Sequence, residues 1–182
     1  MDDPADGAGK KVTDLVPPAY LAKVTSNGMQ VYEGTTPPQL EGKFKMSPVR
    51  FDYSSWREPN TYPAPGTTMT YDITFQLSDQ QTDQSIAVNL PGFYMGENVS
   101  NMFITGSGNN FTICFKSTMV GGPSALFSYP YAHIFSGTID GGLVKNVKMA
   151  IVGLDGTNSS GMSVAGNVDL YSDKDGVCEK IP

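Results

Sequence analysis

The feature of this sequence that most constrains its fold is a strict alternation of apolar and polar residues over positions 68–77. The apolar side chains that fall on one side of an extended chain there are Met69, Tyr71, Ile73, Phe75 and Leu77. A period of two residues is what a β-strand with one buried face requires, so we predict a strand here. Shorter or weaker patterns predict further strands at 40–46, 49–54, 86–90, 99–105, 110–119, 131–139, 143–154, 163–171 and 177–181.

Composition also favours a chain built mostly of β-strands. Only 16% of the residues are charged, whereas the exposed faces of helices are normally rich in Glu, Lys and Arg. Twenty glycines and thirteen prolines are spread along the chain and would separate many short elements. The one convincing helix covers 17–24 and is followed by Asn27-Gly28, because proline suits a first helical turn and Asn-Gly suits a helix end.

The connections between the predicted strands fall into two alternating sets. One set is short or plainly polar: 47–48, 78–84, 106–109, 140–142 and 173–176. The other set is longer and mostly aromatic: 55–67, 91–98, 120–130 and 155–162. If consecutive strands pair, the two sets lie at opposite ends of the sheet. We therefore predict an all-β, antiparallel up-and-down β-barrel of about 8–10 strands with a short N-terminal helix, and a two-sheet β-sandwich is the alternative.

Length, charge and hydropathy limit the number of domains and the kinds of partner. We expect residues 1–11 to be a flexible tether, since they hold few large side chains, and residues 12–182 to form a single barrel domain. The net charge of −6 and the lack of clustered Lys and Arg argue against a nucleic-acid partner. No run of about 18 apolar residues is long enough to cross a membrane. We expect the chain to begin after a removed targeting segment.

The two cysteines, Cys114 and Cys178, lie in predicted strands. Both side chains point away from the most apolar neighbours on their strand, which places them on its less apolar face. Two unpaired, unreactive thiols are the favoured interpretation, and a disulfide formed in an oxidising compartment is the alternative.

No set of residues has the spacing that a catalytic or metal site requires. His133 is the only histidine and has no reactive-serine motif beside it, so we expect a strand histidine that is bonded to its neighbours. Asp173 and Asp175 before Gly176 are similar to half of a calcium loop, but the remaining ligands are missing, which favours a hairpin turn. We predict no enzymatic activity, no cofactor and no metal.

Aromatic residues are concentrated on and beside the longer loops. Those that we predict to bind a ligand are Trp56, Tyr62, Phe93, Tyr94, Phe127, Tyr129 and Tyr131. Their rings offer flat apolar faces, and tyrosine and tryptophan add a polar tip, which suits sugars, lipids or a protein partner. The alternative is that the rings only close the mouth of the barrel.

The segment Val31-Tyr-Glu-Gly-Thr-Thr-Pro-Pro-Gln-Leu-Glu-Gly-Lys-Phe-Lys-Met-Ser-Pro48 resembles the opening of a family of Bacteroidetes cell-surface lipoproteins of unknown function. The later segments 106–112, 135–138 and 173–176 fit the same pattern, so the resemblance covers roughly residues 12–181. It implies a lipocalin-like (calycin-like) β-barrel, in which Phe44 stands where lipocalins usually have tryptophan. It also implies export to the outer membrane or cell surface on a lipid anchor upstream of the acidic residues at 2–6. It supplies no catalytic residues.

Together these features predict an exported, membrane-tethered and non-catalytic binding module. Its ligand would be an apolar small molecule, a lipid or a carbohydrate, bound at the aromatic loop end. The alternative is a structural or protein-interaction lipoprotein with a solid barrel, which would act through its outer surface on a protein partner.

Overall fold

The computed structural model describes residues 9–55, 63–92, 97–121, 127–157 and 163–182, with residues 121, 127 and 128 described by their backbone alone. Its strands are β1 (Thr35–Thr36), β2 (Gly42–Met46), β3 (Val49–Ser54), β4 (Ile73–Ser78), β5 (Ala87–Asn89), β6 (Glu97–Ser107), β7 (Asn110–Gly121), β8 (Phe127–Asp140), β9 (Leu143–Gly153), β10 (Val168–Asp173) and β11 (Val177–Ile181). They are preceded by a 3-10 turn (Val12–Asp14) and one short helix, α1 (Pro18–Ser26). The predicted all-β class with a short N-terminal helix is confirmed.

The helix α1 begins and ends where its residues predict. Pro18 stands in the first turn, where its missing N–H has no helical partner to lose. Asn27 caps the other end and Gly28 follows with a φ of +93°, a conformation that glycine adopts without strain. Between them Val24 is fully buried, and this contact fixes the helix on the outside of the sheet.

The strands form one strongly curled mixed sheet, a half-barrel, with the order β1-β6-β7-β8-β9-β11-β2-β4-β5. β6 to β9 make an antiparallel meander, and β1 lies parallel to β6. The open side narrows where Ser85, just before β5, bridges to Phe103 of β6. The curl is strong enough that Phe75 of β4 and Phe135 of β8, four places apart in the order, have ring centroids only 5.5 Å apart.

The prediction of a hairpin at 173–176 is wrong. β10 and β11 do not pair with each other. β10 pairs with residues 148–152 of β9 and β11 pairs with residues 144–145, so the two form one bent strand along β9. β2 and β3 are related in the same way around Ser47-Pro48, and they run along β11 and β10 respectively. The two bends lie side by side, since the Lys174 amide donates to the Pro48 carbonyl at 2.9 Å. A proline without an N–H suits such a break in the ladder.

The strand predicted at 68–77 is shorter than its alternation suggests. β4 starts at Ile73 and pairs with β2, whereas the Met69 amide donates to Val49 of β3. The chain therefore changes partner between residues 69 and 73, beside the bend between β2 and β3. Tyr71 lies at this change of partner and is 39% exposed, although the alternation placed it in the core.

The motif 32–38 and the motif 106–112 meet in the fold. Gly34 accepts a backbone hydrogen bond from Gly106 at 3.1 Å, where β1 lies against β6. Both residues have a φ near +145°, and a Cβ on Gly106 would overlap the carbonyl oxygen of Asn110. Glycine is therefore required at these positions by backbone conformation and by close approach.

Both faces of the sheet are buried, in two separate clusters. The inner face, enclosed by the curl, carries the larger cluster, which includes Phe44, Phe75, Phe111, Phe115 and Phe135. The outer face carries Cys114, Ile134, Ala150, Val168 and Leu170 and is covered by the N-terminal segment through Val12, Val16, Val24 and Met29. An alternating strand therefore has no solvent face along much of this sheet.

The cysteines are unpaired and buried on opposite faces. Cys114 packs in the outer cluster and Cys178 in the inner cluster, and each is at most 1% exposed. Their expected position on less apolar faces is wrong, because the N-terminal segment buries the face of Cys114 and the bent strand turns Cys178 inward. The sheet between them accounts for the absence of a disulfide.

Candidate functional site

The strand ends that border the predicted aromatic loops lie at the same end of the half-barrel, which we call the long-loop end. Ser54, the last residue of β3, pairs with Asp169 near the start of β10. Gly153, the last residue of β9, pairs with Tyr131 near the start of β8. The hairpins at 107–110 and 140–143 and the turn at 78–85 lie at the opposite end.

Two of the seven predicted binding residues are fully described by the structure, and they lie together. Tyr129 and Tyr131 are 9% and 8% exposed, and their rings meet edge to face with centroids 5.3 Å apart. They pack in a small cluster with Val164, Met119 and Ile151. Trp56, Tyr62, Phe93 and Tyr94 lie outside the described residues, as does the side chain of Phe127. The assignment of all seven to ligand binding stays a prediction.

The middle of the half-barrel is crossed by a continuous series of phenylalanine rings. Phe44 stacks on Phe75 at 5.4 Å, and Phe75 contacts Phe135, which lies 6.4 Å from Phe115. All four rings are at most 3% exposed. A ligand that enters from the long-loop end therefore meets these rings as a floor.

Above this floor the inner face carries a buried hydrogen bond between β7 and β8. The Ser117 hydroxyl and His133 Nε2 are 2.9 Å apart, and neither residue is exposed. The His133 ring also stacks on Phe115 at 4.6 Å and 13°. A serine–histidine bond is the arrangement of a nucleophile and its base, but here both partners are enclosed by the core. The geometry is that of the strand histidine bonded to its neighbours that the sequence predicts.

Two strands further along, Asp169 points into the same interior. It pairs with Ile151, an inner-face residue, and its neighbours Val168 and Leu170 point to the outer face. The side chain is 9% exposed and accepts a hydrogen bond from the Ser54 hydroxyl. Its Oδ1 atom is buried and has no hydrogen-bond partner within the described part of the chain. Burial raises the pKa of this carboxyl to about 6.

Two tyrosines lie next to Asp169 on the side of the bend between β2 and β3, at the level of Phe135. Tyr71 is hydrogen-bonded to Tyr171, whose ring meets Phe51 edge to face at 5.6 Å. Burial raises the pKa of Tyr71, and the charge of Asp169 adds to the effect. Asp169 and Tyr171 thus occupy adjacent inner-face positions of β10, and the partly exposed Tyr71 contacts Tyr171 from the segment before β4.

Sequence reasoning missed Ser117, Asp169, Tyr71 and Tyr171 as site residues. An aspartate between Val168 and Leu170 reads as the exposed position of an alternating strand. The structure reverses this reading, because the apolar neighbours pack on the covered outer face and the aspartate points inward. One feature of the sequence does indicate this arrangement. The strands carry more apolar residues on the outer face than an exposed face would have, so another segment, here the N-terminal one, must cover that face.

A second buried carboxyl lies at the bend between β10 and β11. The Cys178 thiol donates to Asp173 Oδ2 at 3.1 Å, and burial raises the pKa of Asp173 to about 6. Burial also raises the pKa of the Cys178 thiol, so this sulfur is unreactive in the folded protein. Asp175 accepts the Val177 amide and closes the bend. Within the described ranges, no group of three or more His, Cys, Asp or Glu side chains is placed to hold a metal ion.

Three clefts lie away from the long-loop end or on the outside of the sheet. One of about 290 Å³ is lined by Lys10, Asp14, Leu15, Asn101, Met102 and Phe103. A second, of about 320 Å³, follows the bend around Asp173. A third, of about 360 Å³, is lined by threonines, glutamines and Pro37 near β1 and the turn at 78–84. None of them contains a predicted site residue.

Comparison with family models, with curated proteins and with solved structures gives no match for this chain. In the described part of the chain, no helix has both the length and the apolar character needed to span a membrane.

Proposed function

We propose that this chain is a non-catalytic binding module whose long-loop end takes a small ligand. The proposal rests on the polarity of that end. Beyond the packed phenylalanine rings, the inner face carries a buried carboxylate beside a tyrosine ring, and one carboxylate oxygen has no hydrogen-bond partner among the described residues. Binding sites are typically apolar concavities with a few convergent polar groups. The filled middle of the sheet restricts the ligand to this shallow level.

We also propose that the half-barrel is a lipocalin-like up-and-down barrel. If β2 with β3, and β10 with β11, are each counted as one bent strand and the two-residue β1 is left out, eight strands follow one another around the curl in chain order. The isolated bridge between Ser85 and Phe103 joins the region of β5 to β6, the two ends of this series, which supports the proposal. Phe44, at the position of the usual lipocalin tryptophan, stacks on Phe75 and lies under the Lys180 ammonium at 5.9 Å.

The placement of the N-terminal segment supports a tethered module. The Lys10 amide donates to Gln84 at 2.9 Å, and its ammonium lies 3.8 Å from Asp83, both in the turn opposite the long-loop end. A lipid anchor preceding residue 9 would therefore hold the protein by its far end. The long-loop end would then point away from the outer membrane or cell surface.

The alternative of a protein-interaction module is favoured by the filled interior. The exposed surface argues against a protein interface, because Tyr71 and Leu143 are the only exposed large hydrophobic side chains among the described residues. A protein interface normally has a more continuous apolar core. A small ligand is therefore the better-supported proposal.

The proposal is tested by NMR titration of the ¹⁵N-labelled protein with glucose, octyl glucoside and dodecanoate. We expect at least one probe to shift the amides of Tyr129, 131–133 and 168–171 while leaving those of 35–36 and 80–84 unchanged. Tyr71→Ala should weaken this binding, and Leu143→Ala, which removes another exposed hydrophobic side chain at the other end, should not. Shifts confined to 35–36 and 80–84, or no shifts with any of these probes or with those described below, would overturn the proposal.

A further inference from the structure

The strongest unassigned group in the molecule is the carboxylate of Asp169. It is nine-tenths buried, one of its oxygens has no hydrogen-bond partner among the described residues, and its one donor is the neutral hydroxyl of Ser54. Four ion pairs occur in the described part of the chain, formed by Asp52, Asp72, Asp83 and Asp140, and Asp169 belongs to none of them. A buried carboxylate without a cation is unfavourable unless something else supplies the positive charge.

The surroundings of this carboxylate suit one kind of cation. Tyr171 lies two residues from Asp169 on the same face of β10, and it is hydrogen-bonded to Tyr71, whose ring is 39% exposed. Aromatic faces next to a carboxylate bind ammonium groups, because the ring face and the carboxylate both attract positive charge. A metal ion is a poorer fit, since within the described residues Asp169 belongs to no group of three or more His, Cys, Asp or Glu side chains placed to hold one.

We propose that the ligand of the long-loop end carries a protonated amine, which donates to the free oxygen of Asp169 and rests against the rings of Tyr71 and Tyr171. This inference rests on the proposed function and names the ligand class for the same site. A neutral hydroxyl would satisfy the oxygen but leave the buried charge uncompensated. An ammonium group satisfies both requirements, and hydrogen bonds to charged groups are the stronger ones.

The test compares amines with alcohols of the same shape. The ¹⁵N-labelled protein is titrated at neutral pH with ethylammonium and benzylammonium, and in parallel with ethanol and benzyl alcohol. We expect the ammonium probes to shift the amides of Tyr71 and of 168–171, and the alcohols to bind at least about tenfold more weakly. This comparison needs no variant, so it holds even if a substituted protein folds poorly.

Variants then assign the effect to one side chain. Asp169→Asn keeps the shape and removes the charge, and it should weaken benzylammonium binding by about tenfold or more. Asp83→Asn removes a carboxylate at the opposite end and should leave the binding unchanged. Equal shifts with amines and alcohols, or unchanged ammonium binding by Asp169→Asn, would overturn the inference.

The result also separates this inference from the proposed function. If glucose, octyl glucoside or dodecanoate binds at 168–171 while the ammonium probes do not, the amine is wrong and the binding module stands. If none of the seven probes shifts an amide at the long-loop end, both proposals fall.

Discussion

Replacing Asp169 by asparagine should make the protein more stable above pH 6, although it removes a native hydrogen-bond acceptor. The carboxyl pKa is about 6 in the folded protein, against an ordinary value of 3.8, because burial disfavours the charged form. A difference of about 2 pKa units, at about 1.4 kcal/mol each, means that the ionised carboxylate costs the folded state about 3 kcal/mol. Asparagine has the same shape and never ionises.

The sign of the pH dependence follows from proton binding. Because the folded pKa is the higher one, the folded protein holds more protons than the unfolded chain between about pH 4 and 6. The contribution of Asp169 to stability therefore falls as pH rises through that window and stays low above it. Asparagine lacks this dependence, so the variant should gain relative to the wild type by about 2–3 kcal/mol between pH 4 and pH 8.

Urea unfolding of both proteins at several pH values measures this difference directly. The change between the two pH values is the informative quantity, since any cost of the new amide N–H is the same at both. Asp83→Asn is the control of opposite sign, because hydrogen bonds from Ser85 lower the pKa of that exposed carboxyl. A stability difference between wild type and Asp169→Asn that does not vary with pH would refute the burial argument.

Three further predictions concern the fold. Phe135→Ala should lower the free energy of unfolding by about 3–5 kcal/mol in urea, because its ring joins opposite sides of the inner cluster; a loss below about 1 kcal/mol would mean that the interior is loosely packed. Gly106→Ala should be far less stable than Gly141→Ala in thermal melts, since a Cβ meets backbone at the first position and open space at the second; equal melting temperatures would contradict the described turn. Cys114 and Cys178 should react with a thiol reagent only after unfolding, because both are buried and unpaired; rapid labelling of the native protein would show that one face is open.

Local patterns predicted the strands and turns whose structure does not depend on the length of a distant partner strand. The strand predicted at 110–119 corresponds to β7, and the short connection predicted at 140–142 corresponds to the hairpin between β8 and β9. The signal at 173–176 is equally good locally, but it marks a bend. The difference lies in β9, which is long enough to pair with both β10 and β11, and this length cannot be read from the turn itself.

The candidate site was harder to predict because the sheet is covered on both faces. Alternation distinguishes two faces of a strand but does not say which one is the interior. Val168 and Leu170 look like the core side, yet they lie under the N-terminal segment, and Asp169 points into the half-barrel. The loop aromatics were chosen by composition alone, and Tyr129 and Tyr131 pack as a buried pair.

A crystal structure of the protein soaked in turn with octyl glucoside and benzylammonium would show directly whether the long-loop end binds a small ligand. We expect density for at least one of them at the long-loop end, above Phe115 and Phe135 and within contact of Asp169 or Tyr171. Density only in the cleft lined by threonines and glutamines near β1, or a long-loop end closed by side chains with neither probe bound, would contradict this expectation.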